Sequence, residues 1–122
     1  MKIETTILSN LISSPDYTRK VIPYIKEEYF QDSTEKVVFK TITRYVERYK
    51  SPPEHDVIKL DLQKVTLNEE QYKVAQEYVD NLGSYVSDDQ LEWLIDETEQ
   101  WCKDKAIYNA ILNGIHLSLI HI

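Results

Sequence analysis

A chain of 122 residues fits one domain with a single core, and 42% hydrophobic with 29% charged residues is ordinary for a globular protein rather than a disordered one. Two glycines and four prolines disfavour a turn-rich all-β fold, and a single cysteine excludes an internal disulfide. The net charge of −7, from 21 acids against 14 bases, opposes direct nucleic-acid binding, and no apolar run approaches the roughly 20 residues that span a bilayer.

Six helical segments are predicted. The first runs from about Ile3 to Ile12, with Ile3, Ile7, Leu8, Leu11 and Ile12 as its apolar stripe. Ser14-Pro15-Asp16 restarts the chain, Ser as N-cap and Pro at the favoured first helical position. The second helix carries Tyr17, Val21 and Ile22 and is disturbed at Pro23. Tyr24 to Phe30 is a short, aromatic-rich connector. Asp32 or Ser33 caps the third helix, where Val38, Phe39, Ile42, Tyr45, Val46 and Tyr49 recur at helical spacing. Lys36, Lys40, Arg44, Arg48 and Lys50 form a basic row along it, read as a solvated face paired with Glu35 and Glu47. Ser51-Pro52-Pro53 ends that helix, because a residue before proline is pushed out of the helical region. A fourth helix spans about His55 to Val65. The fifth, Glu69 to Leu82, follows an Asn68 cap that Leu67 and Tyr72 straddle like a hydrophobic staple, and Gly83 is expected as a left-handed C-cap.

The last segment, Ser87 to Asn113, opens on a capping-box pattern, Ser87-Asp88-Asp89-Gln90. Leu91, Leu94, Ile95, Thr98, Trp101, Cys102, Tyr108 and Leu112 then fall on one side. Ile107, Ala110 and Ile111 lie on the opposite side, so the final turns are apolar all round. Trp93 projects from the polar side in line with Ile107 and Ile111. Trp93, Ile107, Tyr108, Ile111 and Leu112 are therefore the candidate protein-interface residues. The expected fold class is all-α, a small orthogonal helical bundle of about six helices whose last member is long and protrudes.

No constellation of catalytic, cofactor-binding or metal-ligating residues emerges. A phosphate-cradling loop requires glycines at fixed spacing before a helix, and neither Gly83 nor Gly114 has that context. His55 adjoins Glu54 and Asp56 but has no second His at helical spacing, which leaves an acid-rich helix start. Cys102 sits in the apolar stripe, where a thiol packs as a small hydrophobe. Asp96, Glu97, Glu99 and Asp104 spread over a solvated side. Nine tyrosines and two tryptophans could form a base-stacking platform, yet most sit at core periodicity in an acidic chain.

Two stretches carry a family resemblance. Asp16-Tyr17-Thr18-Arg19-Lys20-Val21-Ile22-Pro23-Tyr24-Ile25, with Glu28-Tyr29-Phe30, resembles the start of the replicative DNA helicases of T-even-type phages, members of the DnaB-like hexameric motors. Trp93-Leu94-Ile95-Asp96-Glu97-Thr98-Glu99, continuing to Ala106-Ile107-Tyr108-Asn109-Ala110, resembles the end of the same N-terminal domain. The resemblance implies a non-catalytic helical collar domain, residues 1–86 forming the bundle and 87–116 the first arm of a truncated oligomerisation hairpin. It implies a homo-oligomer through the C-terminal helix, with primase and helicase loader as partners, in the cytoplasm of a bacterial host. ATP and Mg belong to a motor domain further along, so the segment alone is no enzyme and needs no cofactor.

The ending departs from that pattern. Leu117-Ser118-Leu119-Ile120-His121-Ile122 resembles one translated frame of a transposon-end sequencing adapter, so residues 117–122 are expected to be non-native and the natural sequence to leave off near Ile115 or His116. The alternative is a self-contained small helical phage adaptor or helicase-loader-like protein, whose gene would stop shortly after Asn113.

Overall fold

The structure, a computed structural model, describes residues 2–83 and 90–121, with side chains through Gly114. The fold is all-α. Helices α1 (Ile3–Ser13), α2 (Pro15–Val21), α3 (Ser33–Tyr49), α4 (His55–Leu62), α5 (Glu69–Asp80) and α6 (Leu91–His121) follow in order, with one 3-10 turn, Glu27–Tyr29, between α2 and α3. Ser87, Asp88 and Asp89 of the predicted capping box lie outside the described residues, as does the boundary expected at residue 86. The reading of Leu117 to Ile122 likewise falls on side chains outside them.

Local signals set most helix starts. The Ser14 hydroxyl accepts from the Tyr17 amide at 3.4 Å, and Pro15 occupies the first turn of α2. Of the two candidates for α3, Asp32 is the cap, its carboxylate accepting from the Thr34 amide at 2.7 Å. Asn68 and Gln71 form a reciprocal capping box, 2.7 Å in one direction and 3.1 Å in the other.

Helix α3 ends just before Ser51-Pro52-Pro53 as expected, Lys50 closing it in the left-handed region at φ 61° with its amide still bonded to the Val46 carbonyl at 2.8 Å. The other ends differ more from expectation. Helix α4 stops at Leu62, not Val65, because the amides of Gln63, Lys64 and Val65 each turn back three residues into 3-10-type bonds. Gly83 is not the left-handed cap of α5, since it has no positive φ. The helix already ends at Asp80, and the amides of Asn81 and Leu82 are taken up by carbonyls from Glu77 to Val79, so no left-handed turn is required.

One core joins all six helices. Ile7, Leu8 and Leu11 of α1 meet Tyr17 and Val21 of α2, Val38, Phe39 and Ile42 of α3, Ile58 and Leu62 of α4, Ala75 and Val79 of α5, and Leu94 of α6. The aromatic connector divides: Tyr29 and Phe30 are buried while Tyr24 faces out. The start of α4 is fastened to the end of α5 by His55, whose Nε2 lies 2.7 Å from the Leu82 carbonyl oxygen. The ring is thereby engaged in a structural bond.

Glu35 corrects the charge reading of α3. Its carboxylate is 2% exposed and receives the Lys2 ammonium at 3.2 Å and the Tyr78 hydroxyl at 3.0 Å. It therefore ties the N-terminus and α5 to α3, and does not neutralise the basic row.

Candidate interaction surface

Helix α6 has two regimes along one axis. From Leu91 to Cys102 it is a half-buried bundle helix. Leu94, Thr98, Trp101 and Cys102 are buried, and Leu91 and Ile95 pack at the margin, as the i, i+4, i+7 spacing requires. Trp101 stands edge-on to Tyr29, ring centroids 6.0 Å apart, and lies 5.0 Å from Phe30. The Thr98 hydroxyl donates to the Leu94 carbonyl at 2.7 Å, which leaves it to accept from the Tyr17 hydroxyl at 2.6 Å. Burial pushes the Tyr17 phenol well above its ordinary value, as it does the Cys102 thiol, raised to about 11. A thiol held in its protonated form packs and does not attack, in agreement with the structural role expected of Cys102.

Beyond Ala106 the bundle ends and the helix continues. Ile107 (58% exposed), Tyr108 (51%), Ile111 (54%) and Leu112 (51%) all stand open, as does Trp93 (54%) nearer the start. At 100° per residue, Trp93, Ile107 and Ile111 fall within about 40° of one another, facing away from the buried stripe. Tyr108 and Leu112 lie at its edge, prolonging the stripe past the last described element that covers it. All five sequence-predicted interface residues are thus exposed. Ile107, Tyr108, Ile111 and Leu112 form one continuous patch, and Trp93 sits about 21 Å along the axis from Ile107.

The sequence reading missed two grooves, because each is made by elements distant in sequence. A cavity of about 410 Å³ opens between α2 and α6, walled by Val21, Tyr24, Tyr29, Ile95 and Cys102 and ending at Ala106, where the exposed patch begins. Lys20, Glu99 and Lys103 stand at its rim. A second hollow, about 470 Å³, lies between α3 and α4. Tyr24, an exposed member of the aromatic-rich connector, stands at the wall of the first.

No group of three or more His, Cys, Asp or Glu residues with metal-holding geometry occurs among the described residues. No described helix is long and apolar enough to cross a membrane. What the geometry presents is an apolar strip on a helix whose far turns have no intramolecular partner among the described residues.

Comparison with known proteins agrees with the resemblance carried by the two sequence stretches. No protein-family model matches the chain. The DnaB-like replicative helicase of Enterobacteria phage T4 is 33% identical to it over 104 residues, 85% of this chain. The matched region is 22% of the helicase, so the chain spans roughly a fifth of the length of the relative it matches.

Proposed function

We propose that this chain acts in phage DNA replication as the non-catalytic N-terminal collar domain of a DnaB-like hexameric helicase, in the cytoplasm of the bacterial host. Its role there is hexamer assembly and engagement of primase and loader. The observation that carries the reading is the coincidence of two things: identity to a replicative helicase along most of the chain, and an apolar strip at Ile107, Tyr108, Ile111 and Leu112 left without a cover among the described residues. Full burial of such side chains is worth roughly 1.5–3 kcal/mol each, and about half of that remains to be gained here. Helix α6 supplies the first arm of an oligomerisation hairpin, with 1–86 as the bundle beneath it. The nucleotide chemistry, with its ATP and Mg, belongs to a motor domain outside this segment.

Light scattering after size exclusion tests the assembly role. The chain should form concentration-dependent dimers or larger species, and Ile111→Asp should return it to monomer. A protein that stays monomeric at high concentration and is indifferent to Ile111→Asp would remove the support for an assembly surface on α6. Reading the parent DNA past codon 116 tests the helicase assignment separately: continuation into a glycine-rich phosphate loop supports it, and an immediate stop favours the stand-alone adaptor.

A further inference from the structure

We propose that the groove between α3 and α4 docks an acidic, amphipathic peptide segment of a partner protein. The argument begins with charge. The protein carries a net −7, yet Lys36, Lys40, Arg44, Arg48 and Lys50 run along one helix. Among the described residues none of these five forms an ion pair, because Glu35 is buried against Lys2 and Tyr78 on the other side of α3. Glu47 is the single acid set among them, and it forms no ion pair with any of the five among the described residues, so the row keeps an excess of positive charge that complements a negative partner.

The face is also shaped. Arg44 and Arg48 from α3 and Lys64 after α4 border a hollow of about 470 Å³, floored by Tyr45, Tyr49 and Val57. The two tyrosine rings lie 4.6 Å apart, and the Arg48 guanidinium sits 5.4 Å above the Tyr49 ring. That contact holds Arg48 in place with its outer N–H groups free to make paired bonds to a carboxylate. Tyr49 is exposed and offers an aromatic ledge to an apolar anchor. Two helices walling a trough with an apolar floor and cationic rims is the arrangement that receives an amphipathic helix.

One observation favours a peptide over a nucleic-acid strand. Asp61 stands in the same groove, 3.3 Å from Lys64. A carboxylate there opposes a continuous run of phosphates, whereas a peptide can leave a gap or a neutral residue opposite it.

The test is fluorescence anisotropy on the full chain. The probe is a labelled synthetic helix with glutamates along one face and leucines and a phenylalanine along the other. Micromolar binding is expected. Arg44→Glu with Arg48→Glu should weaken it at least roughly tenfold, and Tyr49→Ala roughly threefold or more. All three side chains lie on the surface, and circular dichroism melting should show the variants folded as the parent is. Lys20→Glu with Lys73→Glu applies the same charge change elsewhere and should alter binding less than about twofold. The proposal is overturned by absence of binding, by equal loss in that control, or by tighter binding of a labelled oligo(dT) through the same arginines. Monomerisation or its failure at Ile111 leaves this result untouched, since that residue lies on α6.

Discussion

Tyr17 donates its hydroxyl to the Thr98 Oγ1 at 2.6 Å, joining α2 to α6 across 81 positions of chain. The two partners are not equivalent. Thr98 also donates to the Leu94 carbonyl, whereas Thr98 is the one hydrogen-bond partner found for the Tyr17 hydroxyl among the described residues. Tyr17→Phe should therefore cost only about 1 kcal/mol, the net value of one bond. Thr98→Val strands a fully buried phenol and should cost about 1–3 kcal/mol. Urea unfolding of the two variants checks the order, and equal losses would show that the bond is not the asymmetric one described.

Alkaline pH should loosen the fold at three acids, Tyr17 and Cys102 in the core and the partly buried Tyr78 at its margin. The Cys102 thiol is raised from 9.0 to about 11, and the Tyr17 and Tyr78 phenols are also raised, in each case chiefly by burial. For a group whose folded pKa lies above its unfolded one, the stabilisation is complete below the unfolded value and is lost as pH climbs through the folded value. Thermal midpoints should hold up to about pH 9 and fall between pH 9 and 11. Cys102→Ala should remove the thiol's share of that fall, on the order of 2 kcal/mol. The same slope in both proteins would assign the loss to the tyrosines alone.

The two tryptophans should separate stability from association. Trp101 packs against Tyr29 and Phe30, and Trp101→Ala should destabilise by about 3–5 kcal/mol. Its Nε1–H is buried without a hydrogen-bond partner among the described residues, so Trp101→Phe recovers part of that loss by removing an unsatisfied donor. Trp93 is exposed, and Trp93→Ala should move stability by less than about 0.5 kcal/mol. In a Trp101→Phe background, Trp93 emission reports on the α6 surface alone. A blue shift with rising protein concentration is expected there; emission that stays red at every concentration would place Trp93 outside any self-association surface.

Periodicity carried most of the fold. Leu94, Thr98, Trp101 and Cys102 were legible as one buried stripe because helical spacing is a local property, and the Asn68–Gln71 box because a cap is written within four residues. Glu35 was not legible. Its partners Lys2 and Tyr78 lie 33 and 43 positions away, and only the folded packing of α1, α3 and α5 turns an apparent surface acid into a buried junction. The prolines marked the end of α3, but the ends of α4 and α5 were not legible for a related reason: carbonyls near a C-terminus can be satisfied by a 3-10 turn, as after Leu62, or by a left-handed residue, as at Lys50, and composition alone does not choose.

The same distinction governs the candidate surfaces. Ile107 and Ile111 betrayed themselves by apolarity on the wrong side of one helix, so the exposed patch was legible in advance. The α3–α4 groove pairs the Arg44–Arg48 row with Val57, Asp61 and Lys64 from beyond two prolines, and no window along the chain contains both walls. Its basic row was visible, its floor was not.

Lys50 offers a test of backbone strain. Its φ of 61° places a residue with a Cβ in the left-handed region at the end of α3, at a solvent-exposed site. That conformation costs an L-residue roughly 1–2 kcal/mol, while glycine adopts it freely but loses more chain entropy on folding. Lys50→Gly should therefore stabilise the protein by a net of about 0.5–1 kcal/mol, read as a higher urea midpoint with unchanged slope. Lys50→Val, β-branched and ill-suited to positive φ, should shift the midpoint the other way. A destabilised glycine variant would mean that the Lys50 side chain contributes more at the helix end than its backbone strain removes.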